Sequence, residues 1–134
     1  MTERSDDPAT LATGLSTALK ELHRALIRSE VGDDPALANP YTMLFALIGD
    51  PRFAWMGVLS DLITRIDEAV TEGELEMTGA LAGFRDEASA LIGEGGGEAA
   101  AAFRLRHLIA LHKEPDVGLA TGKLRKTLAG DASP

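Results

Sequence analysis

Four dipeptides punctuate this chain. Asp7-Pro8, Asp34-Pro35, Asn39-Pro40 and Asp50-Pro51 each place an Asp or Asn directly before a proline. Such a side chain accepts hydrogen bonds from the orphan N–H groups of a first helical turn. Proline at the first helical position sacrifices no hydrogen bond and arrives with φ already set. Each pair therefore reads as a helix start, and Glu114-Pro115 reads the same way. Glycines supply the stops at Gly32, Gly49, Gly73, Gly93, the run Gly95-Gly96-Gly97, and Gly130. The punctuation predicts helices over 8–31, 40–49, 51–71, 74–92, 98–113 and 115–129. A single turn fits 35–38, and the ends, about 1–6 and 130–134, read as frayed. No stretch alternates with period two, and Ala and Leu dominate the apolar residues, which favours helix over strand. The expectation is an all-α fold: one domain, a bundle of five or six helices.

Helical faces refine this picture. In 51–71, Trp55, Met56, Val58, Leu59, Leu62, Ile63, Ile66, Ala69 and Val70 share one wide arc. An arc that wide needs two neighbours, so this helix is expected in a groove with Trp55 as a core anchor. Phe53 falls on its polar side and is expected to pack back on helix 40–49. Helix 8–31 gathers Leu11, Leu15, Leu19, Leu22 and Leu26, with His23 and Glu30 along the border. Helix 74–92 is expected to bury Met77, Leu81, Phe84, Leu91 and Ile92. Gly79 and Gly83 then form a small face that either admits a second backbone or marks a weak helix. Helix 98–113 is apolar nearly all round, with Leu105, Leu108 and Ile109 on one side and Phe103 and Ala110 on another. It is expected at the centre.

The chain has no cysteine, which excludes disulfides, zinc–thiolate sites, iron–sulfur clusters and cysteine nucleophiles. The glycine run lacks the Lys-Ser/Thr of a phosphate-binding loop. The histidines lack metal spacing: His107 and His112 are five apart, and His23 needs a facing Asp61 or Asp67 to complete a site with Glu30. No Glu-x-x-His motif is present. No catalytic, cofactor-binding or metal residue is assigned. The residues that stand out as candidates for a ligand or partner are His23, Glu30, Phe53, Trp55, Asp67, Gly79 and Gly83.

Charge adds an asymmetry. The net charge is −8. Residues 1–103 hold 7 basic and 18 acidic side chains (−11), whereas 104–126 hold 6 basic and 2 acidic (+4). The basic helices are expected to dock on acidic neighbours in the same fold. No apolar run approaches the ~18 residues of a membrane span, and the first eight residues are polar and acidic rather than a signal peptide. A cytoplasmic protein is expected.

The segment from Asp50 to Glu68 (Asp-Pro-Arg-Phe-Ala-Trp, then Leu-Ser-Asp-Leu-Ile, then Ile-Asp-Glu) is similar to the central block of a family of small bacterial proteins of uncharacterised function. Leu22-His23-Arg24-Ala25-Leu26 and Pro115-Asp116-Val117 resemble them too. The resemblance implies a bacterial helical domain and brings no activity, cofactor or site residue.

Function follows by elimination. The first expectation is a non-enzymatic interaction or regulatory domain, a homodimer or a binder of another protein. The alternative is a bundle that holds a small ligand or metal near His23, Glu30, Trp55 and Asp67. Nucleic-acid binding through the basic C-terminal helices is a third, opposed by the net charge.

Overall fold

In the computed structural model, Asp7, Asp34, Asn39, Asp50 and Glu114, each placed before a proline, all cap the helix that follows. The structure describes residues 7–32, 34–76, 79–93 and 97–129, with Glu76 and Ala99 described in backbone only. Asp7 accepts from the N–H of Thr10 (3.1 Å), Asp34 from Ala36 (3.0 Å), Asn39 from Tyr41 (2.8 Å) and Asp50 from Arg52 (2.8 Å). Glu114 accepts from Asp116 at 3.4 Å. The elements are α1 (Pro8–Val31), a 3-10 turn (Pro35–Ala38), α2 (Pro40–Gly49), α3 (Pro51–Ala54), α4 (Gly57–Thr71), a second 3-10 turn (Glu74–Glu76), α5 (Ala80–Ile92), α6 (Glu98–Lys113) and α7 (Pro115–Leu128). The described residues are thus all-helical, with seven α-helices rather than five or six.

The centre is α1, not the helix at 98–113. Its 24 residues run about 36 Å, with α4 and α7 packed along it. Leu15, Leu19, Leu22 and Leu26 of α1 meet Leu59, Leu62 and Ile66 of α4 and Val117 and Leu124 of α7 in one buried cluster. Burying each such side chain contributes roughly 1.5–3 kcal/mol.

Three expectations are corrected. The helix expected over 51–71 is broken at Trp55 and Met56, where ψ relaxes to −17° and −5°. Tight bonds replace the regular ladder there, Met56 N–H to Phe53 O at 3.0 Å and Leu59 N–H to Met56 O at 3.0 Å. A straight helix leaves Phe53 on the polar side; the break turns it inward, to 4% exposure, beside Met56.

The helix expected over 74–92 is also two pieces. Gly79 is the residue before α5, at φ 87°, a conformation that excludes most side chains. Gly79 and Gly83 therefore form no helical face, and beyond their own chain neighbours and helix backbone no described atom lies within 4 Å of where a Cβ at either would stand. The expectations for Met77, Gly95, Gly96, Gly130 and both ends lie outside the described residues.

The third correction concerns α6. Ala100, Phe103, His107 and Ala110 face inward, while Leu105, Leu108 and Ile109 are exposed. The sequence pattern misleads because the inner face holds a histidine. His107 is buried beside Phe103, with ring centroids 6.1 Å apart, and meets Thr121 Oγ1 through Nε2 at 2.8 Å. Thr121 donates its own proton to Val117 O at 2.7 Å, so Nε2 of His107 carries the proton.

The basic C-terminal segment docks inside the fold, partly as expected. Lys123 pairs with Glu21 at 3.1 Å and Arg28 of α1 with Asp116 at 3.1 Å. Two arginines go to carbonyls instead. Arg104 donates to Ala90 O at 2.8 Å and Arg125 to Ile92 O at 3.4 Å, closing the C-terminus of α5. Arg85 of α5 in turn donates to Leu128 O at the end of α7. Helices α5 and α7 therefore cap each other.

Candidate functional site: an exposed apolar helix beside a cleft

Helix α2 is set apart from the core. Asn39 and Asp50 bound it, and it packs on the preceding 3-10 turn and on α3. Among its residues only Ala46 is buried, and Met43 is partly so. Tyr41, Leu44, Phe45 and Ile48 recur at helical spacing i, i+3, i+4 and i+7, the register of a docking face. They point outward, with Tyr41 75% exposed, Phe45 71% and Ile48 76%. Large contiguous apolar patches on a protein surface mark interaction sites.

One arginine fixes both ends of this element. Arg52 pairs with Asp34, before the 3-10 turn, and with Asp50, after α2, at 3.1 Å each. The N–H of Ala36 lowers the pKa of Asp34, and the N–H of Arg52 lowers that of Asp50; the Arg52 guanidinium adds to both. Both carboxylates stay charged at neutral pH and the clamp holds. Arg52 also lies over the Phe53 ring, 5.8 Å from its centroid.

Beside α2 lies a cleft of about 370 Å³, walled by His23 of α1, Leu47 and Ile48 of α2, Phe53 of α3, and Met56 and Ser60 before and within α4. Burial lowers the pKa of His23, so its imidazole is neutral at pH 7. The cleft thus sets apolar walls beside polar surface, with two uncharged polar side chains, His23 and Ser60.

The cleft brings together two of the sequence candidates, His23 and Phe53. The others lie elsewhere. Glu30 accepts from Trp55 Nε1 at 3.3 Å. Trp55 is half-buried in the break between α3 and α4, with its ring centroid 5.2 Å from that of Phe103. Asp67 accepts from Ser16 Oγ at 2.6 Å and pairs with Lys20 at 3.0 Å; the Ser16 bond is the main reason its pKa is lowered. These contacts tie helices together. Among the described residues no three His, Asp or Glu side chains gather as a metal would need, and no helix is long and apolar enough to cross a membrane.

The residues that sequence reasoning missed are Tyr41, Leu44, Phe45 and Ile48. Their spacing is visible in the sequence, but spacing alone does not say whether an apolar face points inward or outward. A second apolar stripe, Leu105, Leu108 and Ile109 on α6, is less exposed and bordered by the exposed Arg106 and Lys113. No known protein family, curated protein or solved structure matches the chain.

Proposed function

We propose that this chain is a non-enzymatic protein-interaction domain whose contact element is α2. One observation carries the reading: a charge-free helix presents Tyr41, Leu44, Phe45 and Ile48 to solvent in a single row. Aromatic anchors in an apolar row are what binding hot spots are made of. The Asp50–Glu68 block that resembles the bacterial family supplies Phe53, Met56 and Ser60 of the adjoining cleft.

The test is a photo-crosslinker placed at Leu44 and, as control, at the exposed Thr64 on α4. Discrete adducts from Leu44, lost when Ile48→Glu is added, are expected. Equal adducts from both positions, or none from Leu44, overturn the reading.

The cleft itself favours a second reading. Its volume of about 370 Å³ falls within the roughly 300–1,000 Å³ of ligand pockets, and His23 and Ser60 give a ligand two polar contacts. This reading expects a molecule of defined mass retained in native mass spectrometry and released by Ala54→Trp at the cleft mouth. Apoprotein alone contradicts it.

A further inference from the structure

Ridge and cleft share one helix. Phe45 stands out from α2, while Leu47 and Ile48 of the same helix wall the cleft. A protruding ring and an open cleft side by side are self-complementary. Across a twofold axis each copy offers its ring to the hole of the other, and both contacts form together.

Charge selects a second copy as the occupant. From Pro40 to Gly49 there is no Asp, Glu, Lys, Arg or His. Of the charged residues flanking it, Asp34 and Asp50 both pair with Arg52. A chain at −8 repels its own copy over most of its surface, and α2 is a face on which two copies meet without opposed carboxylates. A strongly charged partner calls for complementary charge at the rim, which α2 lacks. The α6 stripe fails the same criterion, because pairing it with its copy sets Arg106 and Lys113 near their equivalents.

Area is enough for a small interface. At 150–250 Å² per buried aromatic, Tyr41 and Phe45 with Leu44, Leu47 and Ile48 offer roughly 500–600 Å² per copy. A standard interface takes about 800 Å² from each partner. The α2 face supplies most of this, and packing quality rather than area sets the affinity.

We propose that two copies of this chain pair through α2, with the Phe45 ring of each seated in the other's cleft between His23, Leu47, Phe53 and Met56. The proposal rests on the reading of α2 as the contact element. Sedimentation equilibrium on the full chain tests it, comparing wild type with Phe45→Glu, Tyr41→Ser and Ala54→Trp. Positions 41, 45 and 54 are exposed, so circular dichroism is expected to show each variant folded. Wild type is expected to reach twice the chain mass with rising concentration. Phe45→Glu and Ala54→Trp are each expected to weaken pairing roughly thirtyfold or more. Pairing unchanged in Ala54→Trp but lost in Phe45→Glu overturns the seating of Phe45 and leaves α2 as the contact. Pairing unchanged in both Phe45→Glu and Tyr41→Ser overturns the proposal and the α2 reading together. A wild-type chain that stays monomeric up to about 1 mM overturns self-pairing, and the crosslinking at Leu44 then decides separately whether α2 serves another partner.

Discussion

The indole N–H of Trp55 donates to the Glu30 carboxylate across 3.3 Å, joining the break between α3 and α4 to the last turns of α1. The ring behind it lies against Phe103 of α6. Replacing Glu30 by Ala removes the acceptor and is expected to cost about 1 kcal/mol. Glu30→Gln keeps an oxygen there and is expected to cost less. Urea unfolding that reads a lower midpoint at unchanged slope is the check.

Asp67 and Ser16 form a second tie, at 2.6 Å, between α4 and α1. Ser16 is buried, so Asp67→Ala strands its hydroxyl and is expected to cost about 1–3 kcal/mol. Asp67→Ala in a Ser16→Ala background is expected to cost less, since no hydroxyl is left unpaired. A double-mutant cycle that returns no coupling contradicts this.

Stability is expected to fall with pH just below 6.5. Burial lowers the pKa of both His23 and His107, and Arg125 lowers His107 further. An unfolded imidazole titrates near pH 6.5. Below that pH the unfolded chain binds protons that the folded chain refuses, so stability drops until the folded pKa is reached. Above it the two imidazoles contribute no slope. Thermal melts from pH 7.5 to 5 check this, and His107→Gln, which keeps a donor toward Thr121, is expected to flatten the slope. Asp67 acts in a separate window, with its stability lost only as pH falls below about 3.8.

The one-sided burial of α6 makes a paired prediction. Leu105→Lys is expected to change stability by less than about 0.5 kcal/mol, as an exposed substitution does. Phe103→Ala is expected to cost about 3–5 kcal/mol through the cavity it leaves. Denaturant unfolding of both variants checks which face is buried, and a large loss at Leu105 contradicts the placement.

Helix starts were the most legible part of the chain. Asp7, Asp34, Asn39, Asp50 and Glu114 all cap as their prolines imply, because capping is decided within a few residues. The bounds 8–31, 40–49 and 98–113 agree with α1, α2 and α6. Helix interiors were less legible. The break at Trp55–Met56 goes with the burial of Phe53, a tertiary effect that periodicity does not contain. On α6, burial of His107 depends on Thr121, fourteen residues away, so a helix that reads as apolar nearly all round does not say which of its faces is buried. Of the candidate site, His23 and Phe53 were visible as residues the patterns left at a border or on the wrong side. The outward face of α2 was not, because an apolar stripe looks the same whether its neighbour is its own core or another molecule.

Hydrogen–deuterium exchange over α2 as a function of protein concentration tests the central claim most directly. The account predicts that amides of residues 44–49 become protected as concentration rises, that those of α7, which does not line the cleft, do not change, and that Phe45→Glu abolishes the effect. Exchange over α2 that is the same at every concentration, in wild type and in Phe45→Glu alike, contradicts self-pairing through this helix.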